Sequence, residues 1–320
     1  MNRYLETNPK LWTGRQSGQQ HYLHEKVQCI NLERDSIPKA SAKSFTLLGY
    51  ACDEGVKRNK GRIGAFDGPD AIRTALAKLP NHLENESTLN DAGTLECVDG
   101  KLENIQAHLA EKVTQLLKQN TFPILLGGGH DIAYGHYNGI RNYFANEKTV
   151  GIINFDAHFD LRSNTNGNNS GTPFYQIAKD CSENGEVFKY LCLGIRQDAN
   201  DRSLFQTAAD LGVSHVGHTK FTSNYAEQVV RVVLDFIREV DHIYVTIDLD
   251  GFSSAYAPGV SASSPMGFSP DTVLDTLQMI IDSKKLISFD IAEMNPQYDV
   301  DNQTAKLAAS LIHFIIHQIQ

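Results

Sequence analysis

The chain has 320 residues, of which 41% are hydrophobic and 21% charged, and this composition excludes a disordered or fibrous protein. Its 38 acidic and 29 basic side chains give a formal net charge of -9, which opposes binding to nucleic acid or anionic lipid. No apolar run approaches the roughly 20 residues of a membrane span, and the first residues lack the apolar stretch of a signal peptide. We therefore expect a cytoplasmic protein with reduced cysteines and with neither nucleic-acid nor membrane partners.

Two regions differ in their pattern. Residues 1–43 show no sustained periodicity and are expected to form an N-terminal arm, whereas residues 44–320 alternate apolar runs with amphipathic stretches and are expected to form a single α/β domain. The predicted strands lie at 45–50, 123–126, 150–155, 190–195, 213–216, 243–247 and 286–289. The predicted helices lie at 69–79, 102–119, 133–144, 202–211, 223–240, 270–281 and 304–319. This alternation predicts a mostly parallel central sheet with helices on both faces.

Three of the predicted strands end in side chains that can bind a metal ion. The strand ends carry Gly-Gly-Gly-His-Asp at 127–131, Asp-Ala-His-Phe-Asp at 156–160 and Asp-Leu-Asp at 248–250. Residues two apart on an extended strand project to the same side, so each acidic strand end presents a cluster. Because sites in open α/β sheets lie beyond the carboxyl ends of strands, these clusters are expected to face one crevice.

A crevice so rich in carboxylates needs cations to compensate its charge. Four aspartates and two histidines suit two ions, and an oxygen-rich ligand set without thiolates favours Mn²⁺ over Zn²⁺. Any one of these triplets alone is compatible with a solvated strand end. Their conjunction on three strands predicts a two-metal hydrolase.

The same motifs, followed by Ala-Pro-Gly at 257–259, resemble those of the ureohydrolase family of arginase and agmatinase. The resemblance extends from about residue 45 to the C-terminus and implies a three-layer α/β/α sandwich with two Mn²⁺ ions per subunit, a small-molecule substrate and a homo-oligomer. It implies one ion held by His130, Asp156, Asp160 and Asp248, and a second held by Asp156, His158, Asp248 and Asp250.

A fourth strand end, Asp-Ile-Ala-Glu-Met-Asn-Pro at 290–296, is similar to the family segment whose glutamate contacts the substrate's guanidinium. The resemblance makes Glu293 the substrate carboxylate, which suits a planar amidine because both carboxylate oxygens can accept N–H bonds. Without the family, Glu293 is equally compatible with a surface or N-capping acid.

Two departures from the commoner members indicate a branch of the family. The loop after the Asp-x-His-x-Asp strand has Asn-Ser-Gly-Thr-Pro-Phe at 169–174, without the histidine that relays protons in arginases, and Ser253 and Ser254 replace a usual Asp-Pro. Together with residues 51–62, these features resemble the formimidoylglutamase branch. That branch hydrolyses N-formimidoyl-L-glutamate to L-glutamate and formamide in histidine degradation.

The implied reaction assigns roles to further residues. A hydroxide that bridges the metals would attack the amidine carbon, and Asp160 would pass a proton to the leaving nitrogen. A dicarboxylate substrate needs cations or hydrogen-bond donors, for which the candidates are Arg58, Arg162, Arg196 and Thr172. For the basic cluster at 57–62, a solvated loop after the first strand is an equally good interpretation.

Two rival functions remain open at this point. Another amidinohydrolase, acting on arginine, agmatine or a guanidino acid, would release urea, and a metal-binding protein without catalysis would have no chemical need for Glu293. His313 and His317 are predicted to be packed or surface histidines. His136 is placed on the helix after His130, as a packed imidazole or in contact with a metal ligand.

Overall fold

The computed structural model describes residues 3–38, 40–145 and 147–319. The strands in this part of the chain are β1 (Arg3–Leu5), β2 (Gln28–Cys29), β3 (Ser44–Ala51), β4 (Thr88–Glu96), β5 (Phe122–Gly127), β6 (Val150–Phe155), β7 (Lys189–Ile195), β8 (Ser214–Gly217), β9 (His242–Asp248) and β10 (Leu286–Ala292). They form one sheet in the order β1-β4-β3-β5-β10-β9-β6-β7-β8, with β2 also paired to β4. Among the described strands, all pairings are parallel except that of β1 with β4.

Helices connect these strands. They are α1 (Leu23–Lys26), α2 (Glu54–Arg58), α3 (Gly68–Leu76), α4 (Leu102–Lys118), α5 (Ile132–Phe144), α6 (Pro173–Asn184), α7 (Arg202–Asp210), α8 (Ala226–Arg238), α9 (Pro270–Asp282) and α10 (Gln303–Ile319). A proline near the first position starts α3, α6 and α9, where its missing N–H is not needed. Among the helices of the described ranges, none has the length and apolar character that a bilayer span requires.

Two apolar cores cover the two faces of the sheet. Alternate side chains of the central strands, such as Val245 and Tyr244 of β9, belong to different cores. The first core includes residues of α3, α8, α9 and α10, and the second includes residues of α4, α5, α6 and α7. This arrangement confirms the predicted three-layer α/β/α sandwich with a mostly parallel sheet.

The N-terminal segment is joined to this sheet. Its strand β1 pairs antiparallel with β4, and its side chains Trp12 and Leu23 are buried in the first core. Residues on both sides of the predicted boundary at 43 therefore share one sheet and one hydrophobic core.

Strand β4 was not predicted, because buried polar residues interrupt its apolar pattern. Asp91 is fully buried and accepts hydrogen bonds from Arg73 Nε (2.8 Å), Arg73 Nη2 (2.9 Å) and Trp12 Nε1 (2.7 Å). Arg73 also donates to the carbonyl of Gly93 (2.6 Å) and to Thr94 Oγ1 (2.9 Å). Through Asp91, the bidentate bond from Arg73 fixes α3 to the sheet, and the bond from Trp12 fixes the N-terminal segment to it.

We predict that Arg73→Met lowers the free energy of unfolding by about 3–5 kcal/mol, because Asp91 would be left buried without its counter-charge. The matched control is Arg238→Met, which removes an exposed ion pair with Asp235 and should cost at most about 1 kcal/mol. Urea unfolding of the metal-free proteins measures both values. Equal losses in the two variants would contradict the structural role given to Arg73.

Candidate metal centre and substrate cavity

The predicted site residues follow four strands that are neighbours in the sheet. His130 follows β5, Glu293 follows β10, Asp248 ends β9 and Asp156 follows β6, and these strands lie side by side in the order β5-β10-β9-β6. Parallel strands bring their carboxyl ends to one edge, so residues more than 160 positions apart, such as His130 and Glu293, are in contact. The structure brings all six predicted metal ligands together at this edge.

The first group of possible ligands surrounds the ring of His130. Its Nδ1 atom lies 2.9 Å from Asp160 Oδ2, 3.0 Å from Asp248 Oδ2 and 3.2 Å from Asp156 Oδ2. These four side chains form one cluster in which every ligand atom is within 4.8 Å of the others. Three carboxylate oxygens around one imidazole nitrogen are mutually repulsive unless a positive charge lies among them.

The second group contains Asp156, His158 and Asp250, so that Asp156 belongs to both groups. His158 Nδ1 lies 3.3 Å from Asp250 Oδ1 and 3.4 Å from Asp156 Oδ1. Asp248 contributes only to the first group, and its Oδ1 accepts the backbone N–H of Asp250 at 2.8 Å. The geometry therefore supports a bridging position for Asp156, whereas bridging by Asp248 stays a prediction.

Burial makes this cluster electrostatically costly in the metal-free protein. Burial and then the charge of Asp156 raise the pKa of Asp160 to about 6, and burial together with Asp248 raises the pKa of Asp250 well above its usual range. Burial would lower the pKa of His130, but the adjacent carboxylates of Asp156, Asp160 and Asp248 outweigh it and raise that pKa well above its ordinary value. Cations bound among these groups would compensate the same charge.

The residues present fit two divalent cations. Among the described residues, His130 Nδ1 and Asp250 Oδ1 are buried without a conventional hydrogen-bond partner, and each belongs to a different ligand group. Buried polar atoms without a partner are rare in native proteins and call for an ion or another ligand. Imidazole nitrogens and carboxylate oxygens are suitable donors for Mn²⁺.

Two hydrogen bonds fix Glu293 beside the same cluster. Its backbone N–H donates to the carbonyl of Gly128 at 2.8 Å, and its Oε1 accepts the N–H of His130 at 2.9 Å. Gly128 is required here, because a Cβ atom would lie 1.9 Å from the carbonyl oxygen of Cys52. Burial and then the charges of Asp248 and Asp250 raise the pKa of Glu293 well above its usual range, so a cationic ligand would be stabilised beside it.

One cavity joins Glu293 to the possible metal ligands. Its wall includes Glu293, His158, Asp160, Asp248 and Asp250, and also Arg162, Asn59, Ser170 and Ser261. The cavity volume of about 220 Å³ lies below the roughly 300–1,000 Å³ of sites for drug-sized ligands, which suits a small metabolite.

Arg162 brings a cation to this cavity. Its backbone N–H donates to the carbonyl of Gly171 at 2.9 Å, and a Cβ atom at Gly171 would lie 2.9 Å from Arg162 Cδ. Gly171 therefore leaves room for the arginine side chain. Arg162 is exposed, and among the described residues its guanidinium has no hydrogen-bond or ion-pair partner, so it is available to an anionic ligand.

The other three predicted substrate-binding residues lie away from the wall of this cavity. Arg58 belongs to α2, not to the expected loop, and donates to Glu103 at 2.7 Å and Glu54 at 3.1 Å. The guanidinium of Arg196 is paired with Asp198 at 2.7 Å. Thr172 is fully buried and donates to Gln176 at 2.8 Å, as a part of the packing at the start of α6.

Two residues that the sequence motifs did not single out line the cavity opposite the metal ligands. Asn59 ends α2 and donates through Nδ2 to Ser170 Oγ at 3.1 Å. Ser170 lies in the segment from which the relay histidine is missing. Both residues lie in segments that resemble the formimidoylglutamase branch, but they are 111 positions apart, so only the fold shows that they share a wall.

A sequence model described as the arginase family matches residues 43–317 of the chain. The chain belongs to this family. It is 40% identical over 325 residues to formimidoylglutamase of Clostridium tetani, covering 99% of this chain and 96% of the relative. It is 41% identical over 317 residues to formimidoylglutamase of Aeromonas salmonicida, and the match covers 98% of this chain and 99% of that relative.

Solved structures have the same fold. Formimidoylglutamase from Bacillus subtilis superposes with a TM-score of 0.82 at 21% identity, covering 96% of this chain and 94% of that one. Formiminoglutamase from Trypanosoma cruzi, determined with Mn²⁺, superposes with a TM-score of 0.76 at 24% identity, covering 88% and 95%. Membership of the arginase family and the arginase-like α/β fold, both expected from the strand-end motifs, are confirmed.

Proposed function

We propose that this arginase-family chain hydrolyses N-formimidoyl-L-glutamate to L-glutamate and formamide in histidine degradation. The observation that carries the proposal is that one cavity is lined by the possible metal ligands, by Glu293 and, through Arg162, by a cation. Such a cavity complements a small molecule with an amidine at one end and carboxylates at the other. The names of the full-length relatives support the same substrate.

The proposed metal centre uses two Mn²⁺ ions per subunit. His130, Asp156, Asp160 and Asp248 would hold one ion, and Asp156, His158 and Asp250, with Asp248 as a further candidate, would hold the other. When bound, two such cations would lower the pKa of a water molecule at the site and so supply a nucleophile near neutral pH.

The chain's own residues bind and orient the substrate. Glu293 accepts N–H bonds from the planar formimidoyl group and compensates its positive charge. This contact holds the amidine carbon on the metal side of the cavity, in the geometry that attack requires. Arg162 pairs with a carboxylate of the glutamate portion at the other side of the cavity.

Asp160 is the proposed proton carrier. It lies in the His130 group, and its carboxylate also lines the cavity. It can accept the proton of the attacking water and deliver it to the nitrogen of glutamate as the C–N bond breaks, which balances the hydrolysis. The proposal includes a cytoplasmic homo-oligomer, as the family resemblance implies.

The direct test is product analysis with Mn²⁺-loaded protein. We expect equimolar L-glutamate and formamide from N-formimidoyl-L-glutamate, and no urea from arginine, agmatine or guanidinobutyrate under the same conditions. Urea from any guanidine substrate, with no glutamate from the formimidoyl compound, would contradict the proposed substrate and leave a different amidinohydrolase.

Arg162→Leu should raise KM for N-formimidoyl-L-glutamate roughly tenfold with little change in kcat, because a charge-assisted hydrogen bond at a partly solvated position contributes about 1.4 kcal/mol. The matched control is Arg196→Leu, which removes a cation that is paired with Asp198 away from the cavity wall. Steady-state kinetics of both variants provide the comparison. An unchanged KM in Arg162→Leu would remove this arginine from the substrate site.

A further inference from the structure

Behind the metal centre lies a buried polar network that the proposed reaction does not use. It consists of Thr246 and Tyr244 on β9, Asp290 and Ser288 on β10, and His136 on α5. All five residues have no exposed surface. Polar side chains this deep between a sheet and a helix are costly unless every atom has a partner.

The network begins at His130, on the side of the ring that faces away from the metal cluster. His130 Nε2 lies 2.9 Å from Thr246 Oγ1, and the Thr246 hydroxyl donates to Asp290 Oδ1 at 2.5 Å. Because the threonine proton is directed to Asp290, Thr246 must accept the N–H of His130 Nε2. This hydrogen bond engages Nε2 and leaves Nδ1 as the ring nitrogen that faces the metal cluster and can bind a cation.

The far end of the network holds Asp290 in turn. Asp290 Oδ2 accepts the hydroxyl of Tyr244 and lies 2.6 Å from His136 Nδ1. His136 Nε2 lies 2.6 Å from Ser288 Oγ, whose proton is donated to the carbonyl of Pro123 at 2.8 Å. Ser288 must therefore accept an N–H from His136 Nε2, which leaves His136 Nδ1 as the ring nitrogen that faces Asp290.

Among the described residues, no polar side-chain atom of the network is left without a partner. Strands β9 and β10 place Thr246 and Asp290 directly opposite each other in register. The network is therefore as rigid as the central sheet.

We propose that Thr246 is a positioning residue for the metal centre: through its hydrogen bonds to His130 and Asp290 it holds the imidazole of His130 in the orientation and tautomer that bind one of the two ions. The inference rests on the proposed role of His130 as a metal ligand. It assigns to His136 a structural function, which is to hold Asp290, and not a ligand's function.

The test is Mn²⁺ binding by the metal-free protein, measured by equilibrium dialysis with electron paramagnetic resonance of free Mn²⁺. In Thr246→Val, we expect one of the two dissociation constants to rise by about 10–100-fold, as is typical when a partner that orients a ligand is lost, and the other to stay at the wild-type value. Thr246→Ser retains the hydroxyl and should restore wild-type binding.

Thr46→Val is the matched control. Thr46 is a fully buried threonine of β3 that lies outside the metal-ligand groups. Its hydroxyl shares a hydrogen bond of 2.7 Å with the hydroxyl of Thr121. We expect Thr46→Val to lower the thermal stability of the protein, as Thr246→Val does, but to leave both Mn²⁺ dissociation constants unchanged. If Thr246→Val fails to fold, Asp290→Asn replaces it, because loss of the charge on Asp290 should raise the same constant.

The outcomes separate this inference from the proposed metal centre. Wild-type protein that binds fewer than two ions overturns both. Two ions on the wild type with unchanged constants in folded Thr246→Val, or in folded Asp290→Asn, overturn the role of Thr246 alone. Equal weakening in Thr246→Ser or in Thr46→Val would also overturn it, since the loss would then reflect general destabilisation.

Discussion

The repulsion among four carboxylates at one edge of the sheet is the constraint on which the rest of the site depends. Asp156, Asp248 and Asp250 are buried and Asp160 is partly buried, in two groups that share Asp156, and removing these carboxylates from water is tolerable only if positive charge is placed between them. The neighbouring strands β6 and β9 supply these carboxylates, and β5 supplies His130. The central parallel sheet therefore holds the ligand groups in place before any cation binds.

The site is also built with backbone strain. Asp160 and Glu293 have φ values of 48° and 65°, in the left-handed region that costs about 1–3 kcal/mol for such residues. Two hydrogen bonds stabilise the strained backbone of Glu293. One runs from its backbone N–H to Gly128, and the other from the backbone N–H of His130 to its side chain. The strain directs both carboxylates into the cavity, which links the local backbone to the proposed chemistry.

The sequence predicted the central strands and the convergence of the ligands, because apolar runs that end in Asp or His are local features. It missed β4, where Asp91 is compensated by Arg73 and Trp12 from distant segments, and it missed α6, which begins at Pro173 directly after a polar loop. It favoured Arg162 over the cluster at 57–62, but it could not show that Arg58 is engaged by Glu103, which lies 45 residues away. Pairing between distant charges follows from the fold, which no local pattern contains.

The central claim is that the two ligand groups hold a pair of ions that share Asp156. Electron paramagnetic resonance of the protein titrated with Mn²⁺ tests it most directly. We expect saturation at two ions per chain and a spin-coupled spectrum, as for ions about 3.5–4 Å apart. Saturation at one ion, or two ions with the spectrum of isolated Mn²⁺, would contradict the account.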